Sequence, residues 1–272
     1  MAAIIGGKEG GRRILGLFPP QRPLISVIIA VYNGGTTLER AIKSVIIQTF
    51  SHIELIIIDG GSTDATIDII FNYDRFIDYW ISENDKGIYD AMNKGISLAR
   101  GEWFYFLGSD DEIVDPDVFS SIFVKQYNSK LLYGNVIFRD NGIIYGGKFT
   151  KNILIKKNIC QQGILYHRDL FRILGVFSLK YQILADWAFN IKAFGMDVVL
   201  PTYLNIIIAK YSLEGASNRI VDHDFYTDKL GLIKTELGFN YYLFAVFNQF
   251  KDQLIASLKK YILRPLWNNI YT

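Results

Sequence analysis

The chain has 272 residues, a net charge of +2 and a hydrophobic content of 50%. This composition excludes a disordered chain and suits one sizeable globular domain with an appendage, or two small domains. The near-neutral charge gives no global field that would attract nucleic acid. The single cysteine, Cys160, excludes an internal disulfide and is in keeping with a reducing compartment.

The first 23 residues lack the continuous apolar segment and small-residue cleavage site of a secretory signal. We interpret residues 1–23 as a flexible leader. No uninterrupted apolar run reaches the length that spans a bilayer. We therefore expect a cytoplasmic protein, either free or peripheral on the inner face of the cytoplasmic membrane.

Residues 24–112 alternate apolar strands with amphipathic helices. The run ISVIIAV is typical of a strand buried on both faces, and IELIII, IDYWIS and EWFYFL are three further strands. Thr36 and Glu39 have the spacing of a capping box for the first helix, and Gly101 is expected to close the third helix. This alternation predicts a parallel sheet with right-handed crossovers.

Polar side chains follow each of the four predicted strands. In such sheets ligands bind at the carboxyl ends of the strands. The side chains at these ends are Asn33, Asp59, Glu83 to Asp85, and Asp110 with Asp111. No GxGxxG motif follows the first strand, and the loop GIIYGGK is followed by Phe149 where a phosphate loop requires Ser or Thr. The sequence therefore predicts a ligand site, but not a dinucleotide site or a phosphate loop.

The second half has a different pattern. Asp115–Pro116 predicts the start of a helix, and Asn141–Gly142 predicts a hairpin turn between two strands. A short helix is expected to end at Gly175, and the helix LADWAFNIKAFG carries Asp186 in its first turn. LNIIIAKY is a further strand. Residues 222–272 are helical, aromatic and basic in pattern.

The pair Asp110–Asp111 has two interpretations. Acidic residues are common in turns, so one carboxylate could cap the turn while the other is solvated. A functional pair needs a divalent cation, because Mg²⁺ and Mn²⁺ take oxygen ligands, often one or two carboxylates plus substrate phosphates. Asp59 can likewise be a turn residue or an acceptor for a base or ribose, and Asp186 can be a helix cap or a catalytic group.

These stretches resemble family 2 nucleotide-sugar glycosyltransferases of the GT-A fold. The resemblance covers about residues 24–217 and rests on SVIIAVYNGGTTLERAIKSVIIQTF, ELIIIDGGSTDATIDII, SENDKGIYDAMNKGISLARGEWFYFLGSDD, ICQQGILYHRDLF and ADWAF. DKGIYDAMNKG looks most like the branch that builds exopolysaccharides, O-antigens and colanic-acid-type polymers. The resemblance implies an α/β GT-A fold, with a Rossmann-like, mostly parallel sheet flanked by helices.

The resemblance also implies an organisation. Residues 24–221 would form the catalytic domain, with a nucleotide-sugar half at about 24–112 and an acceptor half at about 113–221. Residues 222–272 would form a helical extension, which either packs on the domain, forms a dimer or lies on an anionic membrane as an amphipathic segment.

The site residues follow from matching positions in the resembling motifs. Asp186 matches the family's general base, and Mn²⁺ or Mg²⁺ would be held by Asp110 and Asp111, with His223 as a candidate third ligand. Acceptor-side residues would be Gln161, Gln162 and Trp187. The nucleotide would be bound by Ala30, Tyr32, Asn33, Asp59, Ser62, Asp85, Asn93, Ser109 and Asp110.

This chain departs from the family pattern at three places. Gly108 replaces the first acid of the Asp-x-Asp motif, so one carboxylate is lost, but Asp110 is kept and Asp111 follows it, and metal binding is expected to survive at reduced strength. Gln161–Gln162 replaces the more usual His-Gln. ADWAF lacks the common Glu-Asp pair, which leaves Asp186 as the base candidate in that motif.

The expected activity is inverting, metal-dependent transfer of a sugar from a nucleotide-diphosphate donor, with UDP as the expected nucleotide. The acceptor would be a growing, lipid-linked bacterial surface oligosaccharide. Two alternatives stay open: a catalytically silent subunit that binds sugar nucleotide or polysaccharide, which the loss of an acid at Gly108 favours, and a nucleotidyltransferase. The second needs a basic loop after the first strand, yet no basic residue occurs there before Arg40.

Overall fold

The computed structural model describes residues 8–17, 22–213 and 220–268. Within these residues ten strands form one sheet. The strands are β1 (Lys8–Gly10), β2 (Ile25–Val31), β3 (Ile53–Asp59), β4 (Tyr79–Ser82), β5 (Trp103–Gly108), β6 (Glu112–Ile113), β7 (Leu131–Phe138), β8 (Ile144–Tyr145), β9 (Ile164–His167) and β10 (Thr202–Tyr211). The helices are α1 (Leu38–Ile46), α2 (Thr66–Asn72), α3 (Ile88–Leu98), α4 (Val118–Ile122), α5 (Lys151–Lys156), α6 (Arg168–Leu174), α7 (Ala185–Gly195), α8 (His223–Glu236) and α9 (Phe239–Asn268).

The predicted parallel sheet is confirmed. β4, β3, β2 and β5 lie side by side in this order, and each neighbouring pair is parallel. Every residue of β2 is buried, and alternate side chains join two hydrophobic clusters on opposite faces of the sheet. The carboxyl ends of β2, β3 and β5 therefore meet at one edge, which sets the place of a ligand site.

The second half extends the same sheet. β9 pairs antiparallel with both β5 and β7, β7 pairs parallel with β10, and β10 pairs antiparallel with β6. The hairpin at Asn141–Gly142 is confirmed, because β8 folds back on β7 and the Asn141 side chain accepts a hydrogen bond from the amide of Ile143. The helix that ends at Gly175 is confirmed as well.

The interpretation of residues 1–23 as a flexible leader is wrong for residues 8–17. β1 pairs antiparallel with β4 and extends the edge of the sheet. The Arg13 guanidinium then forms an ion pair with Glu54, whose side chain is buried below the amino-terminal ends of the strands. A buried carboxylate needs a partner, and this segment supplies the cation, so these residues are held to the domain.

Three helix ends differ from the predictions: the start of α1, the end of α3 and the start of α4. α1 begins at Leu38 with Thr37 at its N-cap and no side-chain cap, so the Thr36–Glu39 capping box does not form. α3 ends at Leu98, because Ala99 is extended and the amide of Gly101 donates to the Ser26 hydroxyl and to Glu54. Loop contacts therefore outweigh the local helix signals.

α4 begins at Val118 rather than at Pro116. The Asp115 side chain accepts a hydrogen bond from the amide of Asp117, two residues later, and so forms a turn before the helix.

The helical pattern after residue 222 is confirmed for residues 223–268, which form α8 and α9. No helix in the described part of the chain is long and apolar enough to cross a membrane.

Candidate active site

The loops after β2 and β3 are locked together by hydrogen bonds. The amides of Asn33, Gly34 and Gly35 donate to Ser62 Oγ, Thr66 Oγ1 and Asp64 Oδ2 at 2.7, 2.9 and 2.8 Å. The Asn33 side chain returns the contact and accepts from the amide of Thr63 at 2.9 Å. Asn33 adopts a φ of 52°, a left-handed conformation that asparagine tolerates better than most residues. The loops after β2 and β3 therefore form one rigid surface, which we call the floor of the site.

Tyr32 stands on this floor with 66% of its surface exposed. Ala30, two residues before Tyr32, is buried on β2 and pairs in register with Ile58 of β3 and Gly108 of β5. An exposed aromatic ring beside a rigid backbone is suited to stack on a nucleobase. Of the predicted nucleotide residues, Tyr32 is the one whose side chain is presented to solvent in this way.

Asp59 is fully buried, and its carboxylate holds the loop that follows it. One oxygen accepts from the amides of Gly61 and Ser62 at 3.1 and 3.0 Å and from Ser82 Oγ at 2.6 Å. The other oxygen accepts from Ser62 Oγ. A carboxylate has about four acceptor positions, so a nucleotide N–H or O–H would have to compete with these donors. Asp59 and Ser62 thus shape the site from beneath.

Two other predicted nucleotide residues are also engaged with the protein. Asp85 is half-buried and accepts from the amide of Gly87 at 2.8 Å, beside Gly60. The Asn93 amide pairs with the backbone of Phe177 in both directions, at 2.8 and 3.0 Å. Both amide atoms of Asn93 therefore hold the Phe177 segment against α3, so this side chain has a structural role in addition to any contact with a nucleotide.

The acidic pair after β5 lies around Gly108. A Cβ at this glycine would lie 2.3 Å from Asp111 Oδ2 and 3.0 Å from Asp110 Oδ1. Gly108 therefore removes one acid of the motif but also provides the space into which the next two carboxylates fold. Within the described residues, the carboxylate of Asp110 has no hydrogen-bond partner, and Ser109 lies against Gly34.

Asp111 is buried, with 1% of its surface exposed. Its Oδ1 accepts from the amide of Ser212 at 2.8 Å, whereas Oδ2 is buried without a partner in the described structure. Burial, followed by the charge of Asp110, raises the pKa of Asp111 to about 7. An orphaned carboxylate oxygen next to a second free carboxylate fits a divalent cation, which takes one or two carboxylates plus phosphates.

His223 does not join this pair. It is exposed at the first position of α8, and its carbonyl accepts from the Thr227 hydroxyl. In the part of the chain that the structure describes, no group of three or more His, Cys, Asp or Glu side chains could hold a metal. The fit of a cation therefore depends on Asp110, Asp111 and a phosphate-bearing ligand.

Asp186 lies in the first turn of α7 and is nearly buried, but Leu184 occupies the N-cap position. Its Oδ1 accepts from the Tyr89 hydroxyl and its Oδ2 from Asn158 Nδ2, both at 2.7 Å. Burial raises the pKa of Asp186 to about 6, and these two hydrogen bonds lower it in part. A base with this pKa is largely ionised at neutral pH and can still accept a proton.

The contacts of Asp186 continue into the core. Asn158 accepts from Asn190 Nδ2 at 3.0 Å, and Asn190 accepts from the Tyr166 hydroxyl at 3.0 Å. Asn190 is fully buried, so the network fixes the orientation of Asn158 and through it Asp186.

Residues 158–162 connect Asp186 to the acidic pair. Asn158 binds Asp186 at one end, and at the other end the Gln162 carbonyl accepts from the Tyr105 hydroxyl at 2.9 Å. Cys160 lies between them: burial, then the charges of Asp111 and Asp186, raises its thiol pKa. The structure thus brings Asp110, Asp111 and Asp186 to two sides of one short segment.

The acceptor-side predictions have mixed outcomes. Gln161 and Gln162 are half-buried in this connecting segment, where Gln161 contacts Met92 Sδ at 3.5 Å and Gln162 accepts from the Cys160 thiol. Trp187 is buried, and its indole N–H donates to the Leu154 carbonyl at 2.8 Å. Trp187 therefore packs α7 in the core instead of offering a donor to an acceptor sugar.

Sequence reasoning missed Tyr89 and Asn158, the two side chains that donate hydrogen bonds to the Asp186 carboxylate. Tyr89 occurs within the segment DKGIYDAMNKG. This segment supported the family resemblance but gave no role to Tyr89. Asn158 had no local signal, because its importance depends on contacts with α7 that lie 28 and 32 residues further along the chain.

Comparison with known proteins identifies relatives. Residues 26–170 match the family model described as "Glycosyl transferase family 2". A "PGL/p-HBAD biosynthesis glycosyltransferase" of Mycobacterium bovis is 39% identical over 213 residues, which cover 75% of this chain and 82% of the relative. An "Uncharacterized glycosyltransferase" of Haemophilus influenzae is 27% identical over 250 residues, covering 84% of this chain and 98% of that protein.

Solved structures share the fold. S. aureus TarS in complex with UDP matches with a TM-score of 0.59 and 20% identity, over 78% of this chain and 64% of that chain. The mannosyltransferase PcManGT from Pyrobaculum calidifontis, in complex with GDP-Man and Mn²⁺, matches with a TM-score of 0.58 and 14% identity, over 92% and 84%. These likenesses confirm the α/β GT-A fold. From the family match and the 39% identical relative, we conclude that this chain belongs to glycosyl transferase family 2.

Proposed function

We propose that this glycosyltransferase is inverting and metal-dependent, and that it transfers a sugar from a UDP-sugar to a lipid-linked bacterial surface oligosaccharide. The observation that carries the proposal is the acidic pair Asp110–Asp111, in which Asp111 Oδ2 is buried without a partner, beside the segment that leads to Asp186. The carboxylates of Asp110 and Asp111 suit a metal-bound diphosphate, and the carboxylate of Asp186 suits an acceptor hydroxyl.

The donor would lie over the joined loops after β2 and β3. Tyr32 would stack on the base, while Asn33, Asp59 and Ser62 keep the floor rigid. Asp110 and Asp111 would hold Mn²⁺ or Mg²⁺ on the diphosphate. When bound, such a cation neutralises the charge that develops on the leaving diphosphate.

Asp186 would act as the general base. The acceptor hydroxyl oxygen attacks C1 of the sugar, the bond from C1 to the diphosphate oxygen breaks, and the hydroxyl proton passes to Asp186. A single displacement of this kind inverts the configuration at C1. Tyr89 and Asn158 hold the two carboxylate oxygens during this step, so they are positioning residues.

The acceptor class is proposed from the resemblance and from the named relatives. The M. bovis relative is named for PGL/p-HBAD biosynthesis, and the sequence resemblance favours exopolysaccharide or O-antigen assembly. We propose that the reaction takes place on the cytoplasmic face of the membrane, where nucleotide sugars would meet a lipid-linked acceptor. Acceptors of both product classes belong in the transfer assay.

The first test is calorimetric binding of UDP, GDP, CDP and TDP, each with Mn²⁺, Mg²⁺ or EDTA. We expect UDP to bind in the presence of Mn²⁺ and binding to fall at least tenfold with EDTA or in Asp110→Ala, since Asp110 and Asp111 would hold the cation that neutralises the phosphates. Asp68→Ala, which changes an exposed acid on α2, is the matched control. The absence of nucleotide binding under every condition would contradict the proposal.

A transfer assay with acceptor panels and NMR of the product anomer then tests the chemistry. Inversion at C1 is the expected result, and retention would contradict it. Donor binding without turnover on any acceptor would instead favour a silent binding subunit, which the glycine at position 108 makes the main alternative.

A further inference from the structure

The outer face of α9 is apolar. Six large apolar side chains at a spacing of three or four residues are each 37–67% exposed. They are Phe239, Leu243, Val246, Phe247, Phe250 and Leu254. Together we call them the α9 stripe. Such a stripe on the solvent side of a helix usually marks a contact with a partner or a membrane.

The stripe faces away from the domain. On the opposite side of α9, Ala245 is buried in the core, while Tyr241 and Phe244 contact the lysines of α5. The Lys151 ammonium lies 5.6 Å from the Tyr241 ring centroid, and that of Lys156 lies 5.1 Å from the Phe244 ring centroid. The body of the protein already covers the inner side of the helix, so it does not cover the stripe.

Basic residues accompany the stripe. Lys148, Lys156, Lys157 and Lys251 are exposed, and none forms an ion pair with a described residue. Along the whole of α9 the sequence carries four basic residues and one acidic residue. A juxtaposed apolar stripe and lysine group is the composition of an interfacial helix that binds an anionic bilayer.

We propose that the α9 stripe and the lysines of and beside α5 and α9 form a docking surface for an anionic lipid bilayer. A second copy of the chain suits this surface less well. A twofold interface would place the same patch on both sides and would bring the unpaired lysines of each copy together. An anionic lipid surface is complementary to both parts, since its acyl region accepts the rings and its headgroups attract the lysines.

The surface adjoins the proposed acceptor side of the site. Lys157 is followed directly by Asn158, which binds Asp186. Docking through α5 and α9 would therefore present Asp186 toward headgroups at the membrane. This use of the surface rests on the proposed function, whereas bilayer binding itself does not need the transfer reaction.

The test is flotation of the full chain with vesicles of phosphatidylcholine alone or with added phosphatidylglycerol, in the absence of donor. We expect binding to anionic vesicles, at least tenfold weaker binding to neutral vesicles, and weakening by salt. Phe247→Ser/Phe250→Ser and Lys148→Glu/Lys251→Glu should each reduce binding at least tenfold. Phe76→Ser and Lys125→Glu, which change exposed residues outside α5 and α9, should bind like the wild type.

Equal binding by the wild type, Phe247→Ser/Phe250→Ser and Lys148→Glu/Lys251→Glu would overturn the proposal. Wild-type protein that stays unbound at every lipid composition would overturn it as well. Sedimentation velocity adds another decisive result: a wild-type dimer that Phe247→Ser/Phe250→Ser dissociates would identify a second copy as the occupant. Circular dichroism and UDP binding of each variant verify the fold. Because vesicle binding is measured without donor, its failure is distinguishable from failure of the transferase proposal.

Discussion

The proposed donor side and the proposed acceptor side of the site are built in different ways. On the donor side, the loops after β2 and β3 are bound to each other by short-range polar contacts at the ends of parallel strands. On the acceptor side, the proposed base Asp186 is held by Tyr89 and Asn158, which come from distant parts of the chain. The donor side is thus a property of sheet topology, while the acceptor side is a property of helix packing.

This difference indicates how each side should respond to substitution. A change on the donor side should act on nucleotide or metal binding and leave the base intact. A change around Asp186 should act on turnover and its pH dependence and leave nucleotide binding intact. The following four variants test this separation, beginning with the largest expected effect.

Asp186→Asn should reduce the transfer rate by about 10³-fold, because an amide cannot accept the acceptor proton. UDP affinity should stay within about twofold of the wild type, since the donor loops are unchanged. Steady-state kinetics and calorimetry measure both quantities. Asp68→Asn, an exposed acid on α2, serves as the control. Transfer at the wild-type rate would remove Asp186 as the base.

Arg13→Ala should lower the free energy of unfolding by about 3 kcal/mol, because it leaves Glu54 buried without its cation. The change lies at the amino-terminal end of the donor-side strands, so it tests how firmly β1 supports that half. Urea denaturation measures the effect. Arg22→Ala removes an exposed arginine and should change stability by about 0.5 kcal/mol or less. Equal effects of the two variants would contradict a structural role for Arg13.

Gly108→Ala should weaken Mn²⁺-dependent UDP binding about tenfold, because the new methyl group would displace the Asp111 carboxylate. Binding measured in EDTA should change much less. Gly231→Ala, at a helical position with open space around it, is the control and should not alter binding. If Gly108→Ala bound Mn²⁺ and UDP normally, the space at Gly108 would not be needed to position the acidic pair.

Tyr89→Phe should move the acid limb of the pH–rate profile to higher pH. Asp186 must be ionised to act, so the wild-type rate should fall as the pH decreases through about 6. The Tyr89 hydrogen bond lowers this pKa, and its loss should raise it by about one pH unit. At pH 8.5 the rate should stay within about threefold of the wild type. Tyr127→Phe is the control, and a pH profile unchanged by Tyr89→Phe would contradict the positioning role.

The sequence predicted the strands and the sheet edge of the proposed donor side, because these signals are local. Buried β-branched strands followed by Asn33, Asp59 and Asp110 specify a parallel sheet and the edge where these residues meet. The position of Asp186 in the first turn of α7 was predicted for the same reason. The family assignment is confirmed, whereas the exopolysaccharide and O-antigen branch stays a prediction.

The remaining features depend on contacts between distant residues. Gly108 appears in the sequence as a lost carboxylate, but in the structure it provides space for Asp111. The glycine-rich, basic start of the chain resembles a flexible segment until Arg13 meets Glu54, 41 residues away. Asn93 lies in a family motif, yet its amide is used by Phe177, 84 residues further on. No periodicity or motif specifies such pairs.

The amides after β2 have a consequence for catalysis. Many phosphate sites use free main-chain N–H groups at a strand-to-helix turn as an anion cradle. Here Asn33, Gly34 and Gly35 have already given their N–H groups to side chains of the next loop. These three amides are therefore not available to neutralise a diphosphate. In the proposed mechanism the diphosphate charge would therefore be neutralised chiefly by a cation at Asp110 and Asp111, and removal of that cation should leave little residual turnover.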